Sequence, residues 1–423
     1  MAVACEEATT LDSRPVGREL FRAQPGPRLN KQYLANLLEL VKPPLLVFFT
    51  SRLLCFLVGY LTMIVFYQEK PNVWRMAPDN LAIDWTARWD SGWYNTIVYN
   101  GYVYSPGGQC NVCFFPLYPL LIRSLCILGT RPIIIALIVD HLAFLGGLIY
   151  LYALGRRVLP DRESAERTLW LLAFFPTALF YSAYYTESVF LFLSTATFYH
   201  GLRRQWVRAV LFAALASACR VPGVFLYGFL MMELLKNAGW SLATIFRAES
   251  WRNLIQAVRQ QWATLLLIQA SVLGLVGFMI FLYVRFGDPF LFSKMQIHWQ
   301  RQNKGPIYYI LDGLHTFCLN LYNGEVKIIS TCDLFCLLAG LALGVVAWRR
   351  LGESYGVYCL ASLLLPASTQ LQSFSRYFCV VFPVFMALSL KLRNPGLERA
   401  TLLTFSALLA CFTAMFATWQ WVG

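Results

Sequence analysis

Apolar runs of about twenty residues recur along this chain, and basic doublets mark alternate ends of them. About twenty residues at ~1.5 Å each cross a ~30 Å hydrocarbon core as a helix, and inside that core every backbone polar group must be paired within the protein. Such a pattern specifies an all-α polytopic membrane bundle. Composition agrees: 58% of the 423 residues are apolar and 13% are charged, against about 25% charged in a soluble domain. Lys and Arg number 35 against 22 Asp and Glu, an excess of 13. In a soluble protein that excess would suggest nucleic acid. Here it reads as basic cytoplasmic loops facing anionic membrane lipid, and no nucleic-acid partner is expected.

The segment before Pro43 carries Glu6, Glu7 and Asp12 among Arg14, Arg18, Arg22, Arg28 and Lys31, and has no apolar core. It is no secretory signal and is expected to stay in the cytoplasm. Residues 1–43 are therefore read as a basic cytoplasmic segment, 44–423 as one transmembrane domain, and 68–131 as its first outer or lumenal loop. The first span is Leu45 to Phe66. Ile133 to Leu154 ends at Arg156-Arg157, inside, and Trp170 to Tyr185 returns outward. Val189 to Leu202 ends at Arg203-Arg204, Val210 to Ala218 leads out, and Val224 to Leu235 returns to Lys236. Between Lys236 and Gln261, Trp251, Leu254, Ile255 and Val258 form one apolar helical face that can lie on the bilayer. Leu265 to Val284 then crosses outward, and Ile328 to Val346 ends at Arg349-Arg350. Tyr358 to Pro366 goes out, Phe378 to Leu390 returns to Lys391, and Thr401 to Trp421 leaves the last residues outside. The sum is about eleven spans obeying the positive-inside rule. The run Phe114 to Ile122 holds Pro116 and Pro119 and is predicted to lie at the interface, because counting it as a span would put Arg156 and Arg157 outside.

This topology sorts the charges. Doublets lie inside, whereas Asp90, Glu187, Arg220, Asp288, Arg301 and Arg376 stand singly at outer span ends. Each alone fits a solvated or snorkelling helix end. Together, on one side and from separate segments, they fit a site assembled between helices. The outer loop opens with Trp85-Thr86-Ala87-Arg88-Trp89-Asp90-Ser91-Gly92-Trp93-Tyr94, a carboxylate fenced by interfacial tryptophans. Of the 12 cysteines most read as small core residues. Cys110-x-x-Cys113 leaves a disulfide open but lacks the second ligand pair of a zinc site. His141, His200, His298 and His315 are too dispersed for a metal centre. No P-loop, dinucleotide fingerprint or serine-nucleophile motif occurs.

In their order and sidedness these segments resemble the PIG-V family, comprising glycosylphosphatidylinositol mannosyltransferase II and its prokaryotic relatives. The resemblance rests on Trp89-Asp90, Gly101-Tyr102, Phe114-Phe115-Pro116-Leu117-Tyr118-Pro119, Thr186-Glu187-Ser188 and Arg220-Val221-Pro222-Gly223. Further along, Gly287-Asp288-Pro289, Gln296/Trp299/Arg301 and Arg376-Tyr377 continue it. It implies a GT-C glycosyltransferase fold, a polyprenyl-phosphate sugar as donor, and chemistry on the outer or lumenal face. It also implies a catalytic acidic residue in the first outer loop, which corresponds to Asp90. The expected function is transfer of a hexose, mannose by the resemblance, to a lipid-linked or glycan acceptor, of glycosylphosphatidylinositol type if the chain is eukaryotic. The segments at Arg220, Gln296–Arg301 and Ser375–Phe378 look closer to bacterial members, which favours a bacterial plasma membrane over the endoplasmic reticulum.

The chemistry assigns roles. Asp90 is the base for the acceptor hydroxyl. Arg301, Arg376 and then Arg220 are the cations for the donor phosphate. Glu187, Trp89, Trp93, Tyr94, His298, Trp299 and Tyr377 are expected to bind substrate. No cofactor or resident metal is assigned, although a divalent ion could assist. With no second carboxylate at retaining spacing, transfer is expected to invert the anomeric centre. A transporter or lipid flippase is the alternative, but it would place ionisable groups near span midpoints or show paired broken helices. The topology is testable with single cysteines in a chain cleared of native thiols. Asp90→Cys, Glu187→Cys, Arg301→Cys and Arg376→Cys should all react with an impermeant reagent from one side, and Arg157→Cys only from the other. Labelling of positions 90 and 157 from the same side would overturn it.

Overall fold

The computed structural model describes residues 31–66, 74–126, 129–237 and 239–423. Two units are distinguished, Met1–Glu39 and Leu40–Gly423. Of the first, only the helical residues from Lys31 are described, so Arg14, Arg18, Arg22 and Arg28 of the basic segment lie outside the described residues. All secondary structure among the described residues is helical.

Helix α1 (Lys31–Val65) carries Pro43 and Pro44 in its interior, so helix starts well before the expected Leu45. The first loop folds into short helices, α2 (Leu81–Asp84), α3 (Ser91–Asn100) and α4 (Leu117–Leu125). Helix α4 has nine residues, ~14 Å of rise, and cannot cross a ~30 Å core. The run with Pro116 and Pro119 therefore does not span, and Pro116 sits at its N-cap. Then come α5 (Pro132–Val158), α6 (Arg162–Ala173), α7 (Glu187–Leu202), α8 (Trp206–Cys219) and α9 (Phe225–Asn237). The connection after Lys236 and the next predicted span form α10 (Ala248–Gln269) and α11 (Leu273–Phe286), with a break from helical geometry at Gln261. On α10, Trp251, Ile255, Val258, Trp262 and Leu266 are exposed at helical spacing. The chain closes with α12 (Leu291–Lys294), α13 (Pro306–Tyr322), α14 (Ile328–Leu351), α15 (Glu353–Ala367), α16 (Phe374–Cys379), α17 (Phe382–Lys391) and α18 (Pro395–Ala417).

Five described stretches are long and apolar enough to cross a membrane: Leu38–Val65, Pro132–Val158, Val258–Phe286, Ile328–Leu351 and Pro395–Ala417. The remaining predicted spans are shorter helices, so helix length does not reproduce a count of eleven. Two departures have physical causes. The predicted span Trp170 to Tyr185 is broken: α6 stops at Ala173, and a separate 3-10 turn covers Ala178–Tyr181. Pro176 lacks an amide hydrogen and disfavours helix in the residue before it. In addition, α13 occupies residues that carried no predicted element. Its Asp312, His315 and Asn320 dilute the apolar signal.

The core is built by α5 on α7, α7 on α8, α14 on α15 and α17 on α6. Between α6 and α7 the irregular chain is buried almost throughout, which is tolerated at membrane depth only if its polar groups are satisfied by protein. They are. Arg52 of α1, itself buried, donates from Nη1 to the Ala178 carbonyl at 3.0 Å and Ser182 Oγ at 2.8 Å, and from Nη2 to the Ala173 carbonyl at 3.2 Å. Tyr184 N–H donates to the Thr86 carbonyl at 2.9 Å. Thr177 Oγ1 donates to the Ser375 carbonyl at 2.9 Å, and Tyr181 Oη to that of Cys379 at 2.6 Å. The broken segment is thereby tied to α1, the first loop and α16 at once. Replacing Arg52→Met should strand these acceptors and cost about 2–4 kcal/mol. The check is a lowered thermal midpoint for the purified protein in detergent, against no change for an exposed Arg349→Met control.

Candidate active site

The site grows from three chain turns that each place one charged residue where a helix begins or ends. Glu187 is the first residue of α7, where unpaired backbone amides favour an anion. Arg220 follows the last residue of α8 in extended geometry, φ −155°. After it the chain must double back tightly. A Cβ on Gly223 would lie 2.3 Å from the Ala216 carbonyl oxygen, so only glycine fits there. Arg376 sits on the short helix α16, which starts after Ser373 in left-handed geometry, φ 72°.

These three residues and Asp90 form one linked cluster. Arg376 Nε donates to Glu187 Oε1 at 2.6 Å, and its Nη1 donates to Asp90 Oδ2 at 2.8 Å. Arg220 Nη1 donates to the same Glu187 oxygen at 2.5 Å and to Thr186 Oγ1 at 2.9 Å. Glu187 is fully buried, and Arg220 and Arg376 are nearly so. Two carboxylates and two guanidiniums cancel, which is how such charges are tolerated away from water. The rings of Tyr185 and Phe180 lie 4.5 Å and 5.1 Å from the Arg376 guanidinium carbon and complete its enclosure.

Asp90, Arg220 and Arg376 face a cavity of about 490 Å³, which Tyr94, Trp299, Arg301 and Tyr377 also line. The three arginines, equivalent by sequence chemistry, differ in place. Arg220 and Arg376 are neutralised by carboxylates. Arg301 has neutral partners: Gln296 Oε1 accepts from its Nη1 at 3.0 Å, and Tyr377 Oη accepts from its Nη2. Its Nε is buried without an acceptor among the described residues. Tyr377 stands between the guanidiniums of Arg220 and Arg301, each 5.8 Å from its ring centre. On the other flank the wall is apolar, with Phe114, Phe115, Val221, Pro222 and Phe292.

The remaining predicted residues lie elsewhere. Glu187 stands behind the cavity rather than on its wall. Trp93 stacks on Phe114 and meets Trp299 edge-on at 5.4 Å, so it supports two wall residues. Trp89 turns away against Trp419 and Trp421. His298 is not on the wall; its carbonyl accepts from Gln109 Nε2 at 3.3 Å. Asp288 pairs with Lys294 at 2.6 Å. Cys110 and Cys113 are free thiols, and burial pushes the Cys113 thiol up to about 12. Burial, followed by the Glu187 and Asp90 charges, raises the Tyr94 phenol above its ordinary value. Both groups stay protonated and neutral at physiological pH.

Asp333 was missed by the sequence reading. It is buried on α14 and accepts from Ser373 N–H at 3.0 Å, Ser375 N–H at 2.8 Å and Ser375 Oγ at 2.7 Å. These bonds shape the turn that delivers Arg376. The available signal was a single carboxylate inside an apolar run.

With this geometry in hand, comparison with known proteins is decisive. Residues 72–312, more than half of the chain, match the family described as Mannosyltransferase (PIG-V). The chain belongs to this family. Its similarity to GPI mannosyltransferase 2 of Drosophila pseudoobscura pseudoobscura is 25% identity over 47% of this chain and 50% of that protein. With mouse GPI alpha-1,6-mannosyltransferase 2 the identity is 28%, over 48% of this chain and 41% of the relative. The matched region thus spans about half the length of these curated relatives or less. Among solved structures, ArnT from Cupriavidus metallidurans bound to undecaprenyl phosphate aligns at 15% identity and TM-score 0.49, over 86% of this chain and 63% of that one. Archaeal oligosaccharyltransferase AglB from Archaeoglobus fulgidus, in complex with an inhibitory peptide and a dolichol-phosphate, aligns at 15% identity and TM-score 0.47, over 90% and 56%. For this PIG-V family member, Glu187 is the residue on which the cluster rests. Replacing Glu187→Gln leaves the buried Arg220 guanidinium without its carboxylate and Arg376 with Asp90 alone, and should cost about 3–5 kcal/mol. Thermal unfolding in detergent should show the loss, and a midpoint unchanged from wild type would deny the cluster its structural role.

Proposed function

We propose that this membrane protein transfers mannose from a polyprenyl-phosphate donor to a hydroxyl of a glycolipid acceptor, with inversion, at the cavity bounded by Asp90 and Arg301. One observation carries the reading. The Asp90 carboxylate and Arg301, a cation with no carboxylate partner among the described residues, face the same cavity, and apolar side chains line it too. Family membership supports mannose as the sugar, the names of the GPI mannosyltransferases it resembles support a glycolipid acceptor, and the apolar wall suits an isoprenoid chain.

The reaction is a single displacement. The acceptor oxygen attacks the anomeric carbon while its proton passes to the Asp90 carboxylate. The bond from that carbon to the phosphate oxygen breaks, and its electron pair leaves with the polyprenyl phosphate. The phosphate goes from one negative charge to two, so a fixed cation beside it is worth more after transfer than before. Arg301 suits that task. Its guanidinium is preset by Gln296 and Tyr377, and its buried Nε still lacks an acceptor among the described residues. Arg376 has the opposite task of holding the Asp90 carboxylate in place, with Oδ2 occupied and no hydrogen bond to Oδ1 among the described residues. The active face is read as outer or lumenal.

The test is donor affinity measured beside single-turnover transfer from polyprenyl-phosphate mannose to a panel of glycolipid acceptors. Asp90→Asn should keep donor binding and lower transfer by about 10²–10⁴-fold. Arg301→Ala should weaken donor binding roughly 10–100-fold and slow transfer as well. Arg301→Lys should recover only part, because a point charge cannot reproduce the planar fork. Near-normal transfer by Asp90→Asn would end the base assignment, and unchanged donor affinity in Arg301→Ala would move the phosphate elsewhere.

A further inference from the structure

Asp90 follows a residue in an unusual conformation. Trp89 has φ 52°, the left-handed region that bulky side chains avoid. Nothing in the local sequence requires it, since glycine or asparagine would adopt it more readily. The conformation is imposed from a distance. The Trp89 ring meets Trp421 edge-on at 5.4 Å and Trp419 at 5.8 Å, both in the segment after α18. Trp419 is itself left-handed, φ 65°, and is held by Trp74 at 5.6 Å and by the Arg88 guanidinium 4.9 Å from its ring. Arg88 also donates from Nε to the Ala417 carbonyl at 3.2 Å. Neither Trp419 nor Trp421 has an acceptor for its indole N–H among the described residues. What they contribute at this point is ring surface.

The segment reaches the other side of the site too. A Cβ on Gly423 would lie 2.6 Å from the Phe180 ring and 3.1 Å from Arg376 Cβ. Phe180 is one of the two rings that enclose the Arg376 guanidinium. On the opposite face of the Trp89 turn, Tyr185 Oη accepts from Asp90 N–H at 3.1 Å and donates to the Arg88 carbonyl at 3.0 Å. The turn is thus bracketed, with a phenol bridging its two ends and two indoles fixing its middle.

We propose that Trp419 and Trp421 are positioning residues: they hold Trp89 left-handed and thereby aim the Asp90 carboxylate at Arg376 and the cavity. Released, Trp89 returns to an ordinary backbone geometry, and the chain direction at Asp90 rotates with it. The catalytic consequence rests on the role proposed for Asp90, whereas the clamp itself is a statement about conformation.

The experiment uses the full chain in lipid nanodiscs and has two readouts. In transfer assays at saturating donor, Trp421→Ala and Trp419→Ala should lower the rate about 10–100-fold, as small misplacements of a reacting group do. Donor affinity should stay within about twofold, because the Arg301 partners are untouched. Trp421→Phe keeps an edge-on ring and should recover most of the rate. In a Trp89→Gly background, where left-handed geometry needs no clamp, Trp421→Ala should add less than about twofold, the signature of coupled residues. The second readout needs no catalysis. With Asp90→Cys in a chain cleared of other reactive thiols, alkylation at position 90 should change at least about fivefold when Trp421→Ala is added, and Trp421→Phe should restore it. A labelling rate indifferent to both tryptophans overturns the clamp. A labelling rate that responds, when the parent chain with Asp90 intact transfers no sugar, keeps the clamp and removes the catalytic reading. Equal loss from Trp421→Ala with and without Trp89→Gly would show that Trp421 acts by another route.

Discussion

Glu187 is the interaction on which the site depends. One buried carboxylate oxygen receives Arg220 from the end of α8 and Arg376 from α16, and through Arg376 it reaches Asp90 in the first loop. Four segments far apart in sequence meet at that point. Desolvating charges is expensive, and an ion cluster this deep holds together only because each charge has a partner. The site is therefore exact in register but intolerant at its two inner members: loss of Glu187 strips Arg220 of its carboxylate, and loss of Arg376 strips Asp90 of its cation.

The inner four charges cancel, which leaves Arg301 to set the electrical character of the cavity. That division separates two tasks a glycosyl transfer requires. A proton acceptor must be fixed and kept ionised, and a leaving anion must be stabilised without being drawn to the acceptor side. Arg376, salt-bridged to Asp90, stands with the residue proposed for the first task, and Arg301, held by neutral partners, is the residue proposed for the second. Tyr377 lies between the two arginine environments, with Arg220 on one side and Arg301 on the other.

Much of this was legible in the sequence, for a physical reason. In an apolar chain every isolated charge costs free energy, so Asp90, Arg220, Arg301 and Arg376 stood out. The structure brings those four to one cavity, with Glu187 behind them. What could not be read depended on partners remote in sequence. The left-handed turn at Trp89 is stabilised by Trp419 and Trp421, and no local pattern announces it. The break at Pro176 was hidden because a buried irregular strip is as apolar as a span, and its hydrogen bonds come from Arg52 and α16. Helix α13 escaped because its polar residues masked its period. Trp89, quoted with Asp90, and His298, within the Gln296–Arg301 segment, were expected at the site, but neither lies on the cavity wall.

Helix α7 has one further consequence. Its first residue is Glu187, and Arg203-Arg204 follow its last turn. Each charge suits the pole of the peptide dipoles beside it, negative at the amino end and positive at the carboxyl end. The same arginines are the kind of signal that fixes which way a segment threads into the bilayer. In α7 the insertion cue and the chemical anchor therefore share one rigid rod. A lineage could not reverse how this helix inserts without also carrying Glu187 to the opposite side of the membrane. Orientation and the placement of the buried charge cluster are inherited as a single trait.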